Sequence, residues 1–379
     1  MKKRLKEVCE FYSGTGFPIK YQGDSYGDLP FYKVSDIANN EIMGNCFLDV
    51  CNNYISYDTV REIKGTVIPR NVVVFAKIGE ALKLNRRCIT SSDCLIDNNA
   101  MGIGCNEKYL EIKYFYFFMK NLKLEKLAES TTIPSVRKTK LEELFIEVPN
   151  MELQLEIART LEVIQDIILY RQKQLIQMDK LIKARFVEMF GDPSLNNKGY
   201  PIRSLPEIAE YWNGLTYRPE DISDDGTVVL RSGNIQNTQL DFEDIVRVKC
   251  SIGDKKYVKE NDILMCSRNG SARLVGKVAL IKSLKEPMSF GAFMMNIRSR
   301  YYPYLMVYFQ MPIFRAQITM GATTTINQIT VKMLDNIKLP VPEKGDIEIF
   351  ATFVHQVNKS KLLSVSQPQI HIYKTLTLL

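Results

Sequence analysis

Histidine is nearly absent from this chain: its 379 residues hold two, His355 and His371. A Ser-His-Asp triad or a multi-histidine metal site is therefore excluded from the first 350 residues. A Ser or Cys nucleophile there would have no imidazole base. The eight cysteines (Cys9, Cys46, Cys51, Cys88, Cys94, Cys105, Cys250 and Cys266) contain no CxxC pair, which removes zinc-finger and thioredoxin-type chemistry. Six crowd into the first 105 residues, a distribution unlike a disulfide framework, and they read as reduced, buried thiols. There is no Pro-Pro, so the Asn/Asp-Pro-Pro-Tyr/Phe signature of amino-group methyltransferases is missing. No GxGxxG follows a strand and no GxxxxGK[ST] occurs, so neither a dinucleotide loop nor a Walker-type nucleotide site is encoded. The apolar runs Val72–Ala76 and Tyr114–Met119 are far too short to span a membrane, and the basic Met1-Lys2-Lys3-Arg4 start leads into no signal-peptide core. The chain reads as soluble and cytoplasmic, with no membrane association.

What is present can build a core. Hydrophobic residues make up 45% and charged residues 25%, and the net charge of +7 permits an anionic partner without demanding one. The chain also repeats itself. Leu5-Lys6-Glu7-Val8-Cys9-Glu10-Phe11-Tyr12-Ser13-Gly14 returns as Leu205-Pro206-Glu207-Ile208-Ala209-Glu210-Tyr211-Trp212-Asn213-Gly214. Pro30–Ile37 returns in pattern as Val228–Ile235, and Thr132-Ile133-Pro134-Ser135-Val136 as Thr325-Ile326-Asn327-Gln328-Ile329. The offsets of 200, 198 and 193 fall smoothly, which marks one duplicated unit with small indels.

Each unit mixes helix and strand. Val72–Ala76 and Asp262–Cys266 read as buried strands, and the aromatic-rich Tyr109–Met119 and Tyr301–Met311 as buried helices. From Leu153 to Phe190 there is neither proline nor glycine, and Gly191-Asp192-Pro193 then stops the helix. Apolar residues recur there at steps of four and three, through Ile157, Leu161, Ile164, Ile168, Leu175, Met178, Ile182 and Met189. This heptad seam needs a partner helix, and 38 residues would reach roughly 57 Å. The partner is sought after the second unit, where Phe350 and Val354 continue the pattern before it decays past Lys361 toward Pro368. The fold class is α+β: two homologous mixed α/β domains, 1–150 and 193–343, joined by long helices at 151–192 and 344–379 that pair as an antiparallel coiled coil.

This layout resembles the specificity subunit of type I restriction-modification systems. The resemblance rests on the repeated opening, Pro30–Ile37, Thr132–Val136, and the passage from Val148-Pro149 through Gln154, Ile157 and Ala158 to Phe186, Phe190 and Gly191. It implies two target recognition domains, each reading one half of a split site in double-stranded DNA. It implies a helical ruler that fixes the gap and docks two modification subunits, with restriction subunits joining later. It places S-adenosylmethionine, ATP and Mg on those partners, with no cofactor and no catalysis in this chain. The sequence departs from that pattern at its end: residues 349–379 lack Asp and Glu entirely, so a shortened C-terminal helix is expected.

Phosphate contacts need Lys, Arg or backbone N–H, and base readout needs Arg, Lys, Asn, Gln or Ser. In the first domain the candidates are Lys33, Ser35, Lys77, the Lys83–Arg86–Arg87 loop, Thr131, Arg137 and Lys138. In the second they are Arg231, Ser232, Asn234, Ser267, Arg268, Asn269, Arg273, Thr324 and Gln328. Two other readings compete. One is a stand-alone Mg-dependent nuclease around Asp97, Glu111 and Lys113; the other is a scaffold that joins proteins through its long helix.

Overall fold

The computed structural model describes residues 1–128, 133–319 and 327–365. Its contacts divide the chain inside the long helix, into a unit built on Met1–Lys173 and one built on Gln174–Ser364. The two units repeat one framework. In the first, a sheet runs in the order Cys9–Ser13, Ala100–Cys105, Val72–Ala76, Arg87–Thr90, Phe47–Leu48. In the second, Glu210–Asn213, Met294–Arg298, Ile263–Cys266 and Val278–Leu280 follow the same order. The central strands Val72–Ala76 and Ile263–Cys266 are buried along their whole length, which is why they read as unbroken apolar runs.

Smaller pairings repeat as well. Leu29–Tyr32 lies parallel to Leu95–Ile96, as Ile222–Leu230 lies parallel to Met288–Phe290. Lys3 faces Ile146 on the strand that closes the first domain, and Arg203 faces Leu339 on the strand that closes the second. Each framework also contains a crossing too tight for any side chain. A Cβ on Gly14 would sit 1.9 Å from the Asp97 carbonyl oxygen, and one on Gly214 would sit 2.2 Å from that of Gly291. Glycine in the repeated opening is therefore a steric requirement in both copies.

The aromatic segments form the helices Ile112–Asn121 and Tyr302–Tyr308, packed into the two main cores. Tyr114 donates its hydroxyl to the Glu147 carbonyl at 2.9 Å, and Tyr304 donates to that of Pro340 at 2.7 Å. A buried tyrosine thus clamps each helix to its domain's closing strand, and the polar tip is satisfied where the ring is buried.

The long helix covers Met151–Phe190 and stops at Gly191, whose φ of 74° ends it in the left-handed region. Ile157, Ala158 and Leu161 pack into the first core. Gln154 is buried and ties the helix start down three times. It donates to the carbonyls of Tyr109 and Pro149 and accepts from the Glu111 N–H. In the second unit, Ile182, Met189 and Val354 pack around Phe186, Phe190 and Phe350. The C-terminal helix Lys344–Val365 runs antiparallel to this stretch: Phe350 meets Phe186 and Phe190 at ring distances of 5.8 and 5.3 Å, while Lys361 bonds Asp179. Leu175 and Met178 are half-buried, but Ile168 is 37% exposed. The long helix has 40 residues, against 22 in the described C-terminal helix. That helix continues past Lys361 to Val365; the expected break at Pro368 lies outside the described residues.

Candidate nucleic-acid interface

The predicted contact segments of the second domain converge. Arg231 opens a 3-10 turn, Ser232–Asn234, whose Asn234 accepts from the Arg231 N–H at 2.8 Å and donates to the carbonyls of Asp241 and Asp244. Beside it lies the loop after Ile263–Cys266: Asn269 donates to the Ser232 hydroxyl at 3.2 Å. The same loop pairs with the segment ending in Gln328, through Asn269 N–H to the Asn327 carbonyl and Ile329 N–H to that of Ser267. Arg268, Arg273 and Gln328 are exposed around this junction.

The first domain repeats the junction. Gly79 N–H donates to the Pro134 carbonyl and Val136 N–H to that of Lys77, and Ile78 bridges Ser135 as Arg268 bridges Gln328. The Pro30–Ile37 segment repeats too: the Lys33 N–H donates to Asp36 as the Arg231 N–H donates to Asn234. Lys33 reaches Gln22 at 2.6 Å, a partner that sequence reasoning did not anticipate, and Ser35 is exposed. Lys77 is half-buried at the junction, and Arg137 and Lys138 stand exposed just beyond it.

Several candidates do other work. Arg87 is wholly buried, at 0% exposure, as the first residue of an inner strand. Its Nη2 donates to Asn85 and to the Leu122 carbonyl, and burial pulls the guanidinium down to about 10. This removes it from the interface. Asn234 and Ser267 are also buried, so Asn234 serves as a turn-holding residue and Ser267 as a backbone anchor. Lys83 pairs with Glu80, Arg86 with Glu41, and Arg231 with Asp244. Thr131 and Thr324 lie outside the described residues.

The nuclease reading loses its constellation. Glu111 caps the helix Ile112–Asn121 by accepting from the Tyr114 N–H, Lys113 pairs with Glu162 on the long helix, and Asp97 accepts from the Asn99 N–H. No cluster that could hold a metal ion occurs among the described residues. The cysteines are free, and burial raises the Cys46 thiol to about 12 and the Cys51 thiol to about 11, far from a reactive thiolate. Among the described residues, no helix is long and apolar enough to cross a membrane.

Sequence reasoning missed the turn that completes the junction. Asn99 and Phe293 occupy corresponding places, each offering its carbonyl to the loop opposite, from Lys77 N–H and Ser267 N–H at 2.9 Å. Aligning Asp97-Asn98-Asn99 with Gly291-Ala292-Phe293 inside the repeat would have exposed it.

Comparison with known proteins agrees with this duplicated plan. The specificity subunit of the StySPI type I restriction enzyme of Salmonella potsdam is 28% identical over 46% of this chain and 40% of its own length. The EcoKI specificity subunit of Escherichia coli K12 gives the same identity and coverage, so the chain spans less than half the length of these curated relatives. The crystal structure of a type I S subunit from M. genitalium shares the fold at a TM-score of 0.52 and 15% identity, covering 99% of this chain and 94% of that one. A chain from a study of assembly and conformational transition in the type I R-M system gives a TM-score of 0.54 at 15% identity, covering 100% and 95%. The model of the type I restriction modification DNA specificity domain matches twice, at residues 1–178 and 197–369, and the chain belongs to that family.

Proposed function

We propose that this chain is the non-catalytic, DNA-reading subunit of a type I restriction-modification assembly, with recognition domains at 1–150 and 193–343. The observation that carries this reading is the repeated junction. The same two backbone bonds hold the Lys77–Gly79 loop to Pro134–Val136 and the Ser267–Asn269 loop to Asn327–Ile329. Each domain so presents polar and basic side chains on a rigid frame, which suits groove contact. Lys33, Lys77, Arg137 and Lys138 would contact one half-site, and Arg268, Asn269, Arg273 and Gln328 the other. The helices at 151–192 and 344–379 would set the gap and dock two modification subunits, which would supply S-adenosylmethionine chemistry, with ATP and Mg on restriction subunits. The assembly would work in the cytoplasm.

The test is co-purification with the modification subunits, followed by selection of bound duplexes from a random pool over a salt series. Retention of one sequence class, with affinity falling steeply as salt rises, is expected. Metal-dependent cleavage by the chain alone, or no duplex binding at any salt, would overturn the proposal.

A further inference from the structure

The turn joining Met288–Phe290 to Met294–Arg298 carries an exposed phenylalanine into the middle of the second junction. Met294 N–H closes the turn on the Gly291 carbonyl at 2.8 Å, which leaves Ala292 and Phe293 at its tip. The turn is pinned from both sides. Ser267 and Arg268 both donate their N–H to the Phe293 carbonyl, at 2.9 and 3.1 Å, and Gly291 N–H donates to the Leu230 carbonyl next to Arg231. The Phe293 side chain is nonetheless 59% exposed. A single exposed apolar residue is ordinary, but this one has company. The Arg268 guanidinium lies 5.3 Å from the ring centroid, and Arg268 has no acidic partner among the described residues. By contrast, Arg231 is held by Asp244. The second domain thus displays an uncompensated cation on an aromatic ring, positioned by backbone bonds. The first domain has Asn99 in that place.

We propose that Phe293 is a specificity-determining residue of the second domain and that its ring edge packs on the C5 methyl group of a thymine in the major groove. Arg268 positions the ring and contacts the same DNA segment. The inference rests on the DNA-reading function proposed above. The chemistry follows from the geometry. The guanidinium covers one face of the ring, so the ring cannot slot between two stacked bases, which needs both faces. Its free edge matches the one apolar group that a base pair shows in the major groove, the thymine methyl. Arg268 keeps its fork for phosphate or base acceptors while the ring limits its freedom.

The experiment uses the assembled complex with its modification subunits, and probes synthetic duplexes carrying its recognised site. Replacing thymine by deoxyuridine, one position at a time, removes only the methyl. With the wild-type chain, one position in one half-site is expected to lose about fourfold in affinity, the worth of one buried methyl-sized group. With Phe293→Ala, and with Phe293→Asn as in the first domain, that loss disappears and thymine is no longer preferred there. All other positions keep their preferences. The proposal is overturned if deoxyuridine has no effect in either chain, if the effect persists in Phe293→Ala, or if both variants weaken every sequence equally. In each of those cases the site is still read, so the DNA-reading function survives. An assembly that binds no duplex sinks both.

Discussion

The two domains share a framework down to single hydrogen bonds and differ in what fills it. Tyr114 and Tyr304 make the same clamp, and Gly14 and Gly214 the same close crossing. At the long helix, however, the first domain packs Ile157, Ala158 and Leu161, where the second packs Phe186 and Phe190 around Phe350 and Tyr304. On the central sheet, Arg87 faces Phe75 where Val278 faces Met265. At the junction, Asn99 stands where the second domain has Phe293. Backbone-fixing positions are thus held in common, while side chains that fill space or face outward diverge. That is the pattern expected of one scaffold made to carry two different readers.

The sharpest way to break this comparison is at the aromatic anchor. Phe350→Ala should cost about 3–5 kcal/mol in the second unit, since it empties a fully buried site, whereas Ile157→Ala should cost clearly less because Ile157 is half-buried. Denaturant unfolding of the two variants checks the order. Gly14→Ala and Gly214→Ala should each destabilise their own domain by about 1–3 kcal/mol, and by similar amounts if the crossings are equivalent. Unequal thermal shifts would count against the shared framework. Arg268→Ala should weaken DNA binding by about 1 kcal/mol and flatten the salt dependence by about one phosphate contact, while Arg86→Ala, whose charge is engaged by Glu41, should do less. Binding isotherms at several salt concentrations measure both.

Arg87→Met should change stability by less than about 1 kcal/mol, because Nε and Nη1 of this buried guanidinium have no partner and the second domain uses valine there. A large loss would mean that the Nη2 hydrogen bonds to Asn85 and the Leu122 carbonyl are required. The smallest effect concerns acid. Glu143 and Glu286 titrate below the usual glutamate range, Glu143 chiefly through the Lys6 hydrogen bond and Glu286 through that from Arg247. A lowered folded value stabilises above the unfolded one, so this contribution is lost as pH falls through the lowered values, in both domains alike. A melting series from pH 7 down to 3 reads it.

Much of this was legible in the sequence. The repeat, the proline- and glycine-free helix and the buried strands are local patterns, and local patterns survive into the fold. Arg87 was not legible, because Lys83-Leu84-Asn85-Arg86-Arg87 has the composition of a basic loop, and only strand pairing with Val72–Ala76 carries its last residue inside. Asn234 looked like a base reader because its amide chemistry suits that task equally well; three hydrogen bonds, to the backbone of Arg231, Asp241 and Asp244, decide otherwise. Phe293 gave no signal because its neighbours at the junction lie 25 and more residues away in sequence. Ile168 kept the heptad rule and is nonetheless 37% exposed, since periodicity records what a helix offers and says nothing of what packs on it.

The central claim is that two similar domains on one helical frame read two separate DNA segments. Its most direct test is to sequence the sites methylated in random duplex by the assembly containing this chain. The account predicts two short defined segments, separated by an undefined gap of constant length. A single contiguous motif, or a gap that varies from site to site, would contradict it.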